Sequence, residues 1–223
     1  LYTYSDNIRD MGNCDSDEEF FRNYRYLLAK LFKKIRPGRL VAVHTKDLPM
    51  YKSKHGASGF RDFTGENLKL MEDVGFVYHS KITIWTDPVF ERARTNTQRL
   101  LYKQVKNDSS LSGVGTPEYL TIFRKWENID SDLYKPVDWK LDGFDLDTWQ
   151  KWASPVWFDI HRIDVLNPNP ARCPEDEKHL APLQLGVIER AVAMWTNPNE
   201  IVYTPFGGIA SELYQSVLMG RKA

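Results

Sequence analysis

The stretch Arg36-Pro-Gly-Arg-Leu-Val-Ala-Val-His-Thr-Lys-Asp47 joins the end of a helix to the start of a strand. Upstream of it, apolar residues recur at helical spacing from Phe20 to Ile35, after N-cap candidates at 15–17. The Pro-Gly pair then stops the helix. The apolar run at 40–43 is continuous instead of alternating, which is typical of a strand buried on both faces of a parallel sheet. We therefore predict a helix followed directly by an inner strand of an α/β domain.

Further elements of the same kind follow along the chain. The pattern predicts a second helix at 65–74 and strands at 76–85 and 118–126, then a helix at 183–195, a strand from 201 and a helix at 211–219. Helices that alternate with strands indicate a doubly wound α/β domain. Residues 127–177 differ, since they are acidic, rich in proline and hold four tryptophans. We predict that they form a small satellite core with one helix at 145–152.

The overall composition excludes several classes of protein. The 223 residues are 13% aromatic, and their 30 basic residues balance 30 acidic ones, which is not the composition of a disordered chain. No uncharged apolar run approaches the roughly 18 residues that a membrane-spanning helix needs. Two cysteines are too few for a disulfide framework. We therefore expect a cytoplasmic protein.

Positive charge is concentrated in one segment. Residues 91–125 carry seven basic and three acidic side chains, whereas residues 126–177 carry five and twelve. A basic surface of this kind can bind the phosphates of a nucleic acid, but a segment with such a charge is more often a solvated face. The residues we predict to contact the phosphates of a nucleic acid are Arg92, Arg94, Lys103 and Lys106.

The segment Tyr203-Thr-Pro-Phe-Gly-Gly-Ile-Ala-Ser211 predicts a strand, a turn of small residues and the start of a helix. Such a turn presents backbone N–H groups and lets a ligand approach the main chain closely. Its glycines are adjacent, so it is not the G-x-G-x-x-G dinucleotide fingerprint. When the turn is considered alone, a glycine pair between a strand and a helix more often reflects ordinary turn chemistry than a binding site.

The context of this turn resembles one family, the S-adenosylmethionine-dependent methyltransferases that modify the exocyclic amino group of adenine or cytosine in DNA. In particular it resembles their permuted group, in which the catalytic half comes first. The family's Phe-x-Gly-x-Gly motif, followed by Ser or Thr, is matched here except that Ala210 replaces the last glycine. The stretch 177–184 resembles the segment that closes over the cofactor carboxylate. The resemblance implies S-adenosylmethionine as cofactor, bound by Phe206, Gly207, Gly208, Ser211, His179 and Pro182.

The front of the chain resembles the same family. Residues 1–13 and 36–47 are similar to the segments after its catalytic strand, and 75–85 to the strand that lines its target-base pocket. The resemblance implies a Rossmann-like methyltransferase sheet with helices on both faces and an irregular recognition insert. It divides the chain into a catalytic half at 1–90, a target-recognition region at 91–175 that includes the strand near 118–126, and a cofactor-binding half at 176–223.

The family's catalytic tetrapeptide, a polar residue before Pro-Pro and an aromatic, is absent from the sequence. The resemblance implies that it precedes Leu1, and that the acidic residue binding the cofactor ribose follows Ala223. We expect no catalytic residue within the chain, and no methyl transfer by these 223 residues alone. Ser154-Pro155 only superficially echoes the tetrapeptide.

The function that the resemblance implies is site-specific DNA methylation at an exocyclic amine, in a protein of bacterial or phage origin. Its partner is double-stranded DNA, with a restriction endonuclease or a second copy as further candidates, and no membrane. The alternatives are a catalytically silent DNA-binding relative and a methyltransferase acting on RNA or a small molecule. We predict no metal site, because Asp159, His161 and Asp164 lack a further ligand at known spacing.

Overall fold

The computed structural model describes residues 11–95, 98–126, 136–138, 144–167 and 182–223. Its helices are α1 (Asp17–Lys34), α2 (Lys52–His55), α3 (Phe63–Val74), α4 (Pro88–Thr95), α5 (Tyr102–Asn107), α6 (Leu146–Trp152), α7 (Leu185–Trp195) and α8 (Ser211–Leu218). Its strands are β1 (Leu40–Lys46), β2 (Leu48–Met50), β3 (Gly59–Arg61), β4 (Val77–Ile84), β5 (Glu118–Arg124) and β6 (Val156–Trp157). None of the described helices is long and apolar enough to cross a membrane.

The predicted helices are present, and local chemistry sets their ends. At α1, the Ser16 hydroxyl accepts a hydrogen bond from the Glu19 backbone N–H at 3.2 Å. At α3, the Asp62 carboxylate caps the first turn, and Gly75 ends the helix in the left-handed conformation with φ 115°. A side chain at Gly75 would also press on the Phe32 ring. The helix predicted at 145–152 is α6, which Asp145 caps.

The main sheet has the strand order β1-β5-β4-β6. Strand β5 lies antiparallel between β1 and β4, and β6 pairs with β4 in parallel. The expectation that residues 40–43 belong to a parallel pair is therefore wrong. The continuous apolar run suggested a strand buried on both faces of a parallel sheet, but β1 is an edge strand of the described sheet, its residues are mostly half-buried, and Ala42 is exposed. Such a run does not fix the direction of the neighbouring strand.

Alternation along β5 shows that the two faces of the sheet carry separate cores. Phe123 packs in a cluster with Leu28 of α1 and Met71 of α3. Ile122, one residue earlier and hence on the opposite face, packs in a cluster with Val187 of α7. The protein is thus an α/β structure with a mixed sheet and helices on both faces, as predicted.

Two segments differ from the sequence-based expectation. The strand predicted from Ile201 is only an isolated parallel bridge between Ile201 and Lys222. The segment 88–111, for which no elements were predicted, holds α4, α5 and two short 3₁₀ turns. The two helices have 8 and 6 residues, too few for hydrophobic periodicity to identify them.

Candidate functional site at the carboxyl edge of the sheet

The site is built at one edge of the sheet, which we call the carboxyl edge. Strands β1 and β4 end there, and β5 begins there, because Lys46 and Ile84 both pair with Glu118 in the register of the sheet. In open α/β sheets, ligands bind outside the carboxyl ends of the strands. The polar side chains at this edge are therefore the first candidates for a functional role.

Glu118 is the centre of a buried polar network at the carboxyl edge. Its side chain is 9% exposed. Nε2 of His44 lies 3.1 Å from its Oε2, and Nε2 of Gln184 donates to the same oxygen at 3.2 Å. A carboxylate only accepts hydrogen bonds, so Nε2 of His44 is the protonated ring nitrogen. The network therefore joins β1, β5 and the residue that precedes α7.

The charge of Glu118 is stabilised in spite of its burial. Burial alone raises the pKa of a carboxyl group, but the hydrogen bond and charge of His44, the charge of Lys46 and the Gln184 amide outweigh it. The pKa of Glu118 falls to about 2. Glu118 is thus an ionised, fixed hydrogen-bond acceptor throughout the physiological pH range.

A second buried carboxylate, Glu91, lies beside this network. Its Oε2 accepts a hydrogen bond from the Thr116 backbone N–H at 2.8 Å and lies 3.5 Å from the Lys46 ammonium. Lys46 therefore sits between the carboxylates of Glu91 and Glu118. Glu91 also joins α4 to the loop before β5, so the segment 88–95 is anchored at the carboxyl edge.

The first turn of α3 reaches the same edge from the opposite face of the sheet. Asp47, the residue after β1, accepts a hydrogen bond from the Thr64 backbone N–H at 3.1 Å. The hydroxyls of Thr45 and Thr64 lie 3.1 Å apart. These contacts hold the amino end of α3, and with it Phe63, at the end of β1.

The glycine turn before α8 has the open backbone that its sequence predicts. Gly208 and Ala210 are both left-handed, with φ values of 49° and 65°. Ser211 is buried, whereas the Phe206 ring is 52% exposed. A Cβ added to Gly207 would meet no atom within 4 Å, so space lies open beside the main chain at this position.

Ring contacts connect this turn to the carboxyl edge. The Phe206 ring lies 6.2 Å from Tyr24, Tyr24 lies 5.7 Å from Phe20, and Phe20 lies 6.1 Å from Phe63 at the start of α3. Burial raises the pKa of Tyr24 to about 12, so this ring stays neutral. The aromatic series therefore links α8, α1 and α3.

Of the other predicted site residues, only some lie in this region. Pro182 lies half-buried just before Gln184, the N-cap of α7, whereas His179 lies outside the described residues. Lys103 and Lys106 are exposed on α5, and the Lys106 ammonium lies 5.3 Å from the centre of the Tyr102 ring. The Arg94 side chain lies outside the described part of the structure.

Arg92 is half-buried on α4, with a buried Nε that has no hydrogen-bond partner among the described residues. It is therefore less available to a DNA backbone than Lys103 and Lys106. The described residues contain no cluster of three or more side chains suited to a metal ion. The Ser154 hydroxyl, in the stretch that echoes the catalytic tetrapeptide, is bonded to the Val156 main chain at 2.9 Å.

Sequence reasoning missed the buried network around Glu118. His44 and Glu118 are 74 residues apart, and Gln184 follows Glu118 by another 66, so no local spacing relates them. One signal was present, because Glu118 is a charged residue at the start of a largely apolar strand. A charge in such a position is buried only when partners are available.

Comparison with solved structures identifies the fold. TTHA0409 from Thermus thermophilus, assigned as a DNA modification methylase and solved with S-adenosyl-L-methionine, matches with a TM-score of 0.65 at 16% identity, over 92% of this chain and 70% of TTHA0409. PvuII DNA methyltransferase, which is cytosine-N4-specific, matches with a TM-score of 0.62 at 14% identity, over 100% of this chain and 70% of that enzyme. The chain therefore has the Rossmann-like fold of these methyltransferases.

No family model matches the sequence, and no curated protein matches it. At 14% to 16% identity, the two structural matches establish the fold alone. Function must therefore be argued from the site.

The network around Glu118 predicts a specific loss of stability in acid. Because the folded-state pKa is about 2 against an ordinary 4.5, the ionised group stabilises the protein above pH 4.5, and this contribution is lost as the pH falls towards 2. Between pH 6 and pH 3 the wild-type protein should lose roughly 2 kcal/mol more unfolding free energy than Glu118→Gln. Urea unfolding at the two pH values measures the difference.

The control for this experiment is Glu189→Gln, which removes an exposed carboxylate from α7. This variant should retain the wild-type dependence of stability on pH. If Glu118→Gln also retained it, the Glu118 network would not hold the charge as described.

Proposed function

We propose that the protein is an S-adenosylmethionine-dependent DNA methyltransferase that acts on the exocyclic amino group of adenine or cytosine. The observation that carries this proposal is the glycine turn at Phe206–Ser211, where space lies open beside the main chain. The turn belongs to a fold that the chain shares with two solved methyltransferases. The fold supports a methyltransferase in general, and the sequence resemblance of this turn supports the amino-methylating group.

The proposed cofactor site is the turn between Ile201 and α8. Close approach of a ligand to the main chain needs residues without an obstructing side chain, and Gly207 has open space beside its Cα. Gly208 and Ala210 are left-handed, and the main chain turns there into the first turn of α8, where backbone N–H groups are free to bind a ligand. When bound, S-adenosylmethionine would supply an electrophilic methyl group, and the exposed Phe206 ring would pack against it.

The remaining residues proposed for the cofactor follow from the same resemblance. Pro182 and His179 would close over its carboxylate end, and Ser211 would stand at the start of α8. Gln184, two residues after Pro182, is fixed to Glu118 by its hydrogen bond. This contact supports the proposal, because it holds the segment before α7 at the carboxyl edge, where a ligand is expected.

The proposed substrate is double-stranded DNA, from which one base is turned out of the stack for reaction at its amino group. Lys103 and Lys106, exposed on α5, support this proposal because they can approach a phosphate backbone without breaking a described contact with an acidic group. The same exposed lysines also favour the alternative of a DNA-binding relative without catalysis. A second copy or a restriction endonuclease as partner remains a proposal from the resemblance alone.

The cofactor proposal predicts that Gly207→Val strongly weakens binding of S-adenosylmethionine without unfolding the protein. The valine side chain would occupy the space beside the turn, where it meets no protein atom but would meet the ligand. Gly207 is preferred to Gly208 for this test, because the φ of 49° at Gly208 makes any side chain there a source of strain. Isothermal titration calorimetry should show at least a roughly hundred-fold loss of affinity, or about 3 kcal/mol.

The matched control is Gly59→Val, which also adds a side chain in open space, in β3. Its affinity for S-adenosylmethionine should equal that of the wild type. Unchanged affinity in Gly207→Val, with thermal stability retained, would remove this turn from the cofactor site.

The DNA proposal predicts that the affinity for DNA falls with salt concentration, and that the lysines of α5 account for part of this dependence. If Lys103 and Lys106 contact phosphates, the double variant Lys103→Gln/Lys106→Gln should flatten the slope of log affinity against log salt by about 2. Fluorescence anisotropy with a labelled duplex at several salt concentrations measures the slope. The double variant Lys33→Gln/Lys34→Gln, on α1, removes the same charge from another exposed place and should leave the slope unchanged. If the Lys103→Gln/Lys106→Gln variant left the slope unaltered, α5 would be a solvated face and not a DNA contact.

A further inference from the structure

Arg221 is a buried arginine that bonds to the ends of two helices, and it is 3% exposed. Its Nε donates a hydrogen bond to the Thr196 hydroxyl at 2.9 Å, and its Nη2 donates to the Thr196 carbonyl at 2.7 Å. Its Nη1 donates to the Met219 carbonyl at 2.6 Å. Thr196 is the C-cap of α7 and Met219 is the C-cap of α8, so the guanidinium lies where both helices end.

The chemistry of a guanidinium suits this position. The last carbonyl groups of a helix lack partners within it and carry a partial negative charge, which a cation stabilises. A guanidinium presents five donors in fixed directions, so Arg221 can bond to acceptors on two segments at once. A lysine ammonium is a compact charge on a flexible stem and would fix their separation less well. Arg221 therefore fastens the carboxyl ends of α7 and α8 to each other.

Main-chain hydrogen bonds join the chain at the same place. The Asn199 N–H donates to the Gly220 carbonyl at 2.8 Å. The Lys222 N–H donates to the Glu200 carbonyl, and the Val202 N–H donates to the Lys222 carbonyl, both at 2.8 Å. The chain thus leaves this point after residue 202, forms the glycine turn and α8, and returns at 219–222. The base of this loop is closed beside Arg221.

The amino ends of the same two helices carry the segments proposed for the cofactor. Pro182 and Gln184 precede α7, and Gln184 is fixed to Glu118 at 3.2 Å. The glycine turn directly precedes α8. Because α7 and α8 contact each other and end together at Arg221, the separation of their amino ends depends on how their carboxyl ends are joined.

The bonds of Arg221 matter most for α8. Val187 of α7 lies in one of the two hydrophobic clusters, which packs α7 on the sheet. Neither cluster, as the structure describes it, includes a residue of α8. The buried residues of α8 are Ser211, Gln215 and Ser216, all of which are polar. Few apolar contacts therefore resist a tilt of α8, and the bonds at its end have a larger share in fixing its direction.

The length of α8 determines how far a change at its carboxyl end is felt. Its eight residues span about 12 Å, at about 1.5 Å per residue. A tilt of about 5° around Arg221 would move the glycine turn by about 1 Å. A displacement of this size can weaken a site by up to about a hundredfold.

We infer that Arg221 is a positioning residue, which sets the separation between the segment before α7 and the glycine turn before α8. The inference rests on the proposed function, in which Pro182 closes over the carboxylate of S-adenosylmethionine and Phe206 packs against its methyl group. The methionine part of the cofactor then spans the two segments, so its contribution to affinity depends on their separation. The contribution of the adenosine part does not.

The test compares two ligands that differ in the part that spans the segments. S-adenosylhomocysteine carries the amino-acid part with its carboxylate, whereas methylthioadenosine ends at the methylated sulfur. Both are titrated by ligand-observed NMR into the natural, full-length protein and its variants, and thermal unfolding is followed in parallel. Arg221→Met should weaken binding of S-adenosylhomocysteine about tenfold or more, and leave methylthioadenosine within about twofold of the wild type. A general loosening of the fold would weaken both ligands alike.

Two milder variants keep the test valid if Arg221→Met fails to fold. Arg221→Lys retains the charge but not the planar fork, so it should give an intermediate loss with the same preference between the ligands. Thr196→Val removes the hydroxyl that accepts from Nε and leaves both carbonyl acceptors in place. It should weaken S-adenosylhomocysteine about threefold, as expected for one hydrogen bond, without affecting methylthioadenosine.

The matched control is Arg190→Lys. Arg190 is another buried arginine, 8% exposed on α7, but it pairs with Asp159 at 2.9 Å and not with a helix end. This variant should keep the wild-type ratio of the two affinities, even if its thermal stability falls.

The outcomes separate this inference from the proposed function. Equal affinities of the wild type and Arg221→Met for S-adenosylhomocysteine, or an equal loss for both ligands, would overturn the inference and leave the proposed function standing. Failure of the wild-type protein to bind either ligand would contradict the proposed function, and the inference with it.

Discussion

The buried carboxylate of Glu118 is the interaction on which the site depends. Glu118 lies on β5 and accepts hydrogen bonds from His44 of β1 and from Gln184 before α7. This one side chain therefore fixes β1, β5 and the start of α7 relative to one another. A buried charge is tolerated only when it is paired and hydrogen-bonded. Removing either partner would leave the buried carboxylate with one hydrogen bond fewer, so the charge of Glu118 favours keeping the three elements together.

Helices on both faces of the sheet contribute to the site at the carboxyl edge. On one face, α7 packs on Ile122 and brings Gln184 to the carboxyl edge. On the other face, α1 and α3 pack around Phe123, and their aromatic rings extend to Phe206 in the glycine turn. The core therefore positions polar groups on one side and the proposed cofactor turn on the other.

Much of the fold could be predicted from the sequence, because helix caps and apolar periodicity are local. Ser16, one of the three N-cap candidates at 15–17, caps the start of α1, and α3 ends at Val74, where the helix predicted at 65–74 ends. The antiparallel direction of β5 could not be predicted, since burial on both faces has the same pattern for either direction. The glycine turn was found as a local motif, whereas the partnership of Glu118 with Gln184 joins distant segments and is visible only after folding.

The most direct test of the central claim is methyl transfer by the natural, full-length protein. Labelled S-adenosylmethionine is incubated with unmethylated double-stranded DNA, and the DNA is then digested to nucleosides for mass spectrometry. The account predicts label in N6-methyladenine or N4-methylcytosine. Unlabelled DNA, with DNA binding retained, would contradict it and favour the silent DNA-binding relative, and label on a ring carbon would contradict the amino-group chemistry.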